Sequence, residues 1–348
     1  MGDLSRIQTL QRFRDKHGIP AVFGGVINAS GELDLDAVGI QRRGYEQAVK
    51  TSDLVHIGSC CKMITALLFG TFVDEQRADW EMPVTDLFPD LADSIAQGWH
   101  NCTVAALFYC LGGMRANPPH RFLTSGHTDT RPLTQQRTEM TELAFSQAPD
   151  KPGRFVYSNM GYIVLGAAID RLSGVSFERA LEDRVLQPLG ITHAGYGPPP
   201  DVWGHAPKFV CGGLGVFKGK PADPHERSSD NPPVLSAAGT LHLSCVDWAR
   251  ILHAFQIHNS PGIVSEQVIE RILHLPQSKA ARMSMGWAPV ELHGMAYGAQ
   301  GSNLRWSATV LMDDTRQRIS LLVCNDGRSR VLRQSVSIAH RLLTTGCQ

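Results

Sequence analysis

Gly58-Ser59-Cys60-Cys61-Lys62 puts a hydroxyl and an amine three residues apart at the start of a run with helical periodicity. Residues at that spacing share a helix face, so Ser59 Oγ and Lys62 Nζ can meet. A serine hydroxyl is a weak nucleophile until a neighbouring base takes its proton. A buried lysine flanked by other donors can act as that base near neutral pH. The helix N-terminus beside Ser59 adds positive potential and free N–H groups, which favour negative charge developing there. S-x-x-K occurs once in the chain. Alone it is equally a serine cap followed by a solvated lysine.

A second group follows a Pro-Gly turn in Lys151-Pro152-Gly153-Arg154-Phe155-Val156-Tyr157-Ser158-Asn159-Met160-Gly161-Tyr162. Tyr157 and Asn159, two apart before an apolar helix over 163–169, can point into one space. The plainer alternative is a half-buried core tyrosine and an asparagine N-cap. Other chemistries fail on their patterns. There is no H-E-x-x-H, and the glycine-rich stretch at 211–220 has Leu214 and Pro221 where a phosphate loop needs Gly and Ser or Thr. No serine has glycines two before and two after it, which removes the nucleophile elbow.

These residues need elements to hold them. The first 20 residues read as a helix ending near Gly18-Ile19-Pro20. Residues 21–27 and 32–40 read as strands around an Asn-Ala-Ser-Gly turn. Met63, Ile64, Leu67, Leu68 and Phe72 mark the helix over 59–72 as largely buried. Residues 211–238 look like a long loop. Strand character returns at 295–300, 307–312 and 318–324, with a hairpin loop at 313–317, and an amphipathic helix covers about 328–343. One sheet completed by both chain ends, with a mainly helical lobe inserted at roughly 81–239, is the expected α/β (α+β) architecture. Residues 1–80 and 240–348 then form the sheet lobe of a single domain, with the site in the cleft between lobes.

Length and composition agree with this. The 348 residues exceed what one core usually supports, and 43% hydrophobic content can bury a sizeable core. Lys plus Arg and Asp plus Glu both number 33, which argues against a general nucleic-acid surface. No apolar run approaches a membrane span and the N-terminus has no signal-peptide pattern. The eight cysteines, at 60, 61, 102, 110, 211, 245, 324 and 347, show no C-x-x-C pair. Free thiols in a cytoplasmic, reducing compartment are expected. No metal, cofactor, nucleic-acid or membrane partner is expected, and the oligomeric state is left open.

Taken in order, S-C-C-K, then P-G-R-F-V-Y-S-N-M-G-Y, then Leu186-Gln187-Pro188-Leu189-Gly190-Ile191, then Ala237-Ala238-Gly239-Thr240 running to Trp248-Ala249 carry a resemblance. From about residue 10 to 345 the chain resembles the class C β-lactamase, family VIII esterase and penicillin-binding-protein-like serine hydrolases. That resemblance implies a β-lactamase/transpeptidase-like fold, an antiparallel sheet with flanking helices, and an acyl-enzyme mechanism. By position, Ser59 resembles the nucleophile, Lys62 and Tyr157 the shared base, and Asn159 an orienter of Lys62 and substrate. Gly301 and Ser302 match the third motif, and the Ser59 and Ser302 N–H groups match the oxyanion hole.

Two departures bear on substrate. Ala299 stands where relatives carry Lys or His, in Ala299-Gln300-Gly301, and Leu107-Phe108-Tyr109-Cys110-Leu111-Gly112-Gly113 replaces L-L-x-H-x-S-G. Ala299, Gln300 and Arg305 are the candidate substrate contacts, with Arg305 able to reach back and supply the missing charge. The expected activity is hydrolysis of small neutral esters, with amides or peptides as the second choice of substrate and weak or no action on β-lactams. An acyltransferase of the same fold and a non-catalytic ligand-binding relative remain alternatives.

Overall fold

The computed structural model describes residues 5–211, 214–256 and 262–344. The Met-Gly start, Gly212-Gly213 of the expected loop, and Cys347 lie outside the described residues. Helix α1 (Arg6–His17) starts at a Ser5–Gln8 capping box and ends on Gly18 in the left-handed conformation. Strands β1 (Ala21–Asn28) and β2 (Leu33–Gly39) form the expected first hairpin. A short β3 (Leu54–His56) leads into a single 3-10 turn, Gly58–Cys60, and then into helix α2 (Cys61–Asp74). Twelve of the fourteen residues of α2 are buried, as expected of a helix apolar all round.

The inserted region carries α3 (Val104–Phe108), α4 (His120–Ser125), α5 (Leu133–Phe145), α6 (Asn159–Ser173) and α7 (Phe177–Leu181). Strand β4 (Ala194–Tyr196) follows, then the two-residue strands β5 (Val210–Cys211) and β6 (Leu214–Gly215). Next come α8 (Ser236–Gly239), β7 (Leu241–Ser244), α9 (Cys245–His253) and α10 (Glu266–Leu273). Short β8 (Ala288–Pro289), then β9 (Met295–Ser302), β10 (Ser307–Asp313) and β11 (Arg318–Cys324), precede α11 (Ser329–Thr344).

The main sheet has strand order β2-β1-β11-β10-β9-β8, every pairing antiparallel. Both chain ends therefore meet in its centre, at β1 against β11, as the two-ended strand pattern requires. Alternation sorts its faces. Val22, Val26, Leu311, Leu322 and Cys324 pack with Leu10, Phe13, Ala339 and Leu342 of α1 and α11. Phe23, Ile27, Ala308, Val310, Ile319, Leu321 and Val323 point the other way, into one continuous core shared with α2, α6 and α9.

Two features differ from the expectation. The stretch at 211–238 is less loop-like than composition suggests, since it holds β6, two 3-10 turns and the start of α8. A second antiparallel sheet, β3-β7-β4, also went unread in the sequence. Its strands run three or four residues, too few to show a period, and Leu241–Ser244 is wholly buried. This sheet delivers the chain to Ser59.

A buried arginine fastens the helical region to the site. Arg137, with its side chain fully buried, grips both Asp170 oxygens at 2.8 Å and both oxygens of Glu178. Its Nη1 also reaches Ser236 Oγ at 3.1 Å, the first residue of α8. Helices α5, α6, α7 and α8 are thereby tied at one point.

Candidate active site

Ser59 sits in the turn immediately before α2, whose first turn holds no acidic residue to offset the positive end of the helix. Gly58 has φ +54°, a left-handed conformation that a side chain would strain. The end of β9 lies against this turn backbone to backbone. A Cβ added at Gly301 would fall 2.7 Å from Ser59 N and 2.1 Å from Ile57 O. One added at Gly58 would fall 2.5 Å from Ser302 N. The Ser59 and Ser302 amides thus belong to one contact layer, held by two residues that lack a side chain.

Lys62 is 1% exposed, and its Nζ has three acceptors. They are Ala238 O at 2.6 Å, Asn159 Oδ1 at 2.8 Å and Ser59 Oγ at 3.3 Å. An ammonium has three donors, so the charged form is fully satisfied. A neutral amine keeps two donors for the two shorter contacts and turns its lone pair to the longest, Ser59 Oγ. Both protonation states that a base must visit therefore fit the same cage. The rings of Tyr157 and Tyr162 lie 4.9 and 5.0 Å from Nζ. Burial pushes the Tyr162 hydroxyl well above its ordinary value, so that ring is a neutral wall.

The segment 110–116 positions Tyr157 and Asn159. Val156 N donates to Cys110 O, Asn159 N to Ala116 O, and Ser158 Oγ to Arg115 O. The α6 cap is Ser158, whose Oγ accepts from Gly161 N, so Asn159 is not the N-cap of the plainer alternative. Freed from capping, the Asn159 amide bridges Lys62 and Asn117, donating to Asn117 Oδ1 at 2.8 Å. Tyr157 is 40% exposed, not half-buried core.

The structure thus gathers Ser59, Lys62, Tyr157, Asn159, Gly301 and Ser302. Ala299, two residues before Gly301, shares its face of β9 and packs on the main core. Gln300 does not join them: its amide turns to the other face and donates to Thr309 Oγ1 and Leu332 O. Alternation along a strand dictates that. The Arg305 guanidinium is committed to the Asn303 and Ser228 carbonyls rather than reaching back along β9. Cys60 and Cys61 are fully buried; burial raises both thiols, Cys61 to about 12, so neither is a thiolate at neutral pH.

Sequence reasoning missed the Ala238 carbonyl, Asn117, and a buried His56–Asp230–Asn303 group behind the turn. A backbone carbonyl has no residue signature. The other residues stand too far apart in sequence to form a local pattern. Among the described residues, no group of three or more His, Cys, Asp or Glu could hold a metal ion. No described helix is long and apolar enough to cross a membrane.

A family model described as Beta-lactamase matches residues 7–343. Penicillin-binding protein 4 of Amycolatopsis lactamdurans is 28% identical over 51% of this chain and 45% of its own length. A beta-lactamase of Escherichia coli K12 is 29% identical over 44% of this chain and 38% of its own. The chain therefore aligns with less than half the length of either curated relative. The class C beta-lactamase of Rhodobacter sphaeroides superposes with a TM-score of 0.76, at 17% identity, over 97% of this chain and 98% of that one. The D-amino acid amidase of Ochrobactrum anthropi SV3 gives 0.75, at 19% identity, over 98% of both. These two likenesses establish the fold.

Proposed function

Because the chain belongs to the beta-lactamase family, we propose that it is a serine hydrolase that forms an acyl-enzyme on Ser59 and acts best on small neutral esters. The observation that carries the reading is the Lys62 cage, which places an amine within 3.3 Å of Ser59 Oγ while Asn159 and Ala238 fix its direction. In the first step Ser59 Oγ attacks the ester carbonyl carbon and its proton passes to the Lys62–Tyr157 pair. The carbonyl oxygen becomes an anion facing the Ser59 and Ser302 amides. Collapse breaks the bond to the leaving alkoxide, which takes the proton. Water then repeats the sequence on the acyl-enzyme and releases the acid. Each oxyanion donor in such a site is worth about 2.7–4 kcal/mol in the transition state.

Ala299 supports the neutral-ester choice. A methyl group offers no charge to an anionic substrate, and Arg305 is bonded elsewhere. A charge-assisted hydrogen bond contributes about 1.5–3 kcal/mol, one to two powers of ten in relative rate. Neutral esters do not need it. The free, buried cysteines among the described residues support a reducing, cytoplasmic setting.

The test is intact-mass spectrometry after exposure to a fluorophosphonate, short-chain esters and β-lactams. One adduct on the Ser59 peptide, lost in Ser59→Ala along with turnover, is expected. Neutral esters should show a higher kcat/KM than cephalosporins, with Ala299→His narrowing the gap. An adduct on another serine ends the Ser59 reading. A wild-type preference for cephalosporins that Arg305→Ala abolishes ends the neutral-ester reading alone.

A further inference from the structure

Behind the nucleophile turn lies a buried group that the acyl-transfer steps leave unused. His56 is fully buried, Asp230 6% exposed and Asn303 4% exposed. His56 Nδ1 accepts the Gly58 N–H at 3.0 Å. That nitrogen therefore carries no proton, the ring proton sits on Nε2, and Nε2–H donates to Asp230 Oδ2 at 2.8 Å. The other carboxylate oxygen, Oδ1, accepts from Asn303 Nδ2 at 2.8 Å. Asn303 follows Ser302 directly, and its own Oδ1 accepts the Arg305 and Trp306 N–H groups at 3.0 and 2.9 Å. One carboxylate thus links the residue before Ser59 to the residue after Ser302.

The surroundings keep this chain of bonds isolated. His242 is the cross-strand partner of His56 on β7, and its Nδ1 is engaged by Gly197 O at 2.8 Å. Arg305, His127 and His242 are the charged and titratable side chains that act on Asp230 from outside the chain of bonds, and His242 acts on His56 as well. Every polar atom of the trio facing inward has a partner, so the arrangement has one low-energy form.

We propose that His56, Asp230 and Asn303 are positioning residues that set the spacing of the Ser59 and Ser302 amides and so tune the oxyanion hole. The proposal rests on the acyl-enzyme reading above. Asp230 also fixes the tautomer. An amide in its place can present N–H to His56 Nε2, which moves the ring proton to Nδ1, where it opposes the Gly58 N–H. The bond behind the nucleophile turn is then replaced by a repulsive contact between two donors, although no volume has changed.

Asp230→Asn is the sharpest test, because it is isosteric; His56→Phe removes both ring bonds, and His56→Asn restores an acceptor near the Nδ1 position. For Asp230→Asn and His56→Phe, kcat should fall about 10- to 100-fold with KM within about threefold of wild type. Affinity for an arylboronate, which forms a tetrahedral adduct on the nucleophile, should fall by a similar factor, because each oxyanion donor acts on that geometry. His56→Asn should recover part of the loss, and nitrogen NMR of Asp230→Asn should show the His56 tautomer reversed. Folded variants with wild-type kcat and boronate affinity, or a loss in KM alone, overturn the clamp. A wild-type protein whose Ser59 takes no boronate overturns the acyl-enzyme reading and the clamp's role with it. Normal binding in wild type and variants alike overturns the clamp only.

Discussion

Gly301→Ala is the substitution whose effect follows most directly from the structure. The added methyl would lie 2.1 Å from Ile57 O, 2.7 Å from Ser59 N and 2.8 Å from Cys60 N, all backbone atoms. No rotamer change relieves a clash with backbone, so the end of β9 and the nucleophile turn must separate by about 1 Å. Misplacement of that size costs about 100-fold in rate, or about 2.7 kcal/mol in the barrier. Overpacking adds a stability loss of about 1–3 kcal/mol. Gly298→Ala on the same strand is the matched control. Its methyl meets the ends of Val290 and Leu311 side chains at 2.6 and 3.0 Å, on the face away from Ser59. Gly298→Ala should lose less stability in a urea melt, because those side-chain ends can shift, and only Gly301→Ala should lose kcat by about two powers of ten, with KM little changed. If Gly301→Ala keeps more than about a third of wild-type kcat, or if both variants lose activity in step with stability, the contact between β9 and the turn does not set the rate.

Lys62→Arg should cost about 100-fold or more in kcat, close to Lys62→Ala, because a guanidinium keeps its protons over the working range; steady-state kinetics on a neutral ester decide it. Arg137→Leu leaves Asp170 and Glu178 facing each other without their cation, and a urea melt should show a loss of about 3–5 kcal/mol. Cys60 and Cys61 should resist iodoacetamide at pH 7.5 in the native protein, with activity retained, since burial holds both thiols protonated. His205 gives the acid dependence. Burial lowers it from 6.5 to about 4, and its Nε2 accepts the Arg43 N–H while Nδ1 donates to Asn325 O. The folded form excludes the proton that the unfolded chain takes up below pH 6.5. Stability is therefore full above that pH and falls by about 3 kcal/mol as pH drops to about 4. Urea melts across this range should show a shallower fall in His205→Gln, and an unchanged slope would remove His205 as a cause.

What the sequence made legible follows the range over which each signal acts. The β10–β11 hairpin was visible because alternation and the Asp313-Asp314-Thr315-Arg316-Gln317 loop are local, and α2 was visible because its apolar spacing is local. Strand β7 was not, because Leu241-His242-Leu243-Ser244 is buried on both faces and its partners on β3 and β4 lie far off in the chain. The same division runs through the site. Ser59 and Lys62 are one helical turn apart, and Tyr157 and Asn159 two residues apart, so spacing alone nominates them. Asp230 is 174 residues from His56 and 73 from Asn303, and no spacing rule spans such separations. Gln300 was misplaced for a different reason. Position next to Gly301 suggested shared function, but neighbours on a strand face opposite ways.

The glycines around Ser59 explain how such a site can change substrate without changing mechanism. Gly239, in Ala237-Ala238-Gly239-Thr240, would place a methyl 3.2 Å from Ser59 N, and Gly286 would place one 2.5 Å from Met63 N. With Gly58 and Gly301 they bring three chain segments to the first turn of α2 at backbone distance. The parts to which the acyl-enzyme proposal gives the chemistry, the turn at Ser59, the Ser59 and Ser302 amides and the Ala238 carbonyl on Lys62, are therefore backbone-set. They tolerate almost no substitution. Ala299, the side chain proposed above to bear on substrate choice, is none of these backbone contacts, and exchanging it should leave the turn unmoved. Ala299→His should for that reason alter the ester-to-cephalosporin ratio of kcat/KM while leaving the rate of Ser59 phosphonylation by a neutral fluorophosphonate within about threefold of wild type. A parallel fall in both would mean that residue 299 supports the turn itself, and the separation of machinery from selectivity argued here would fail.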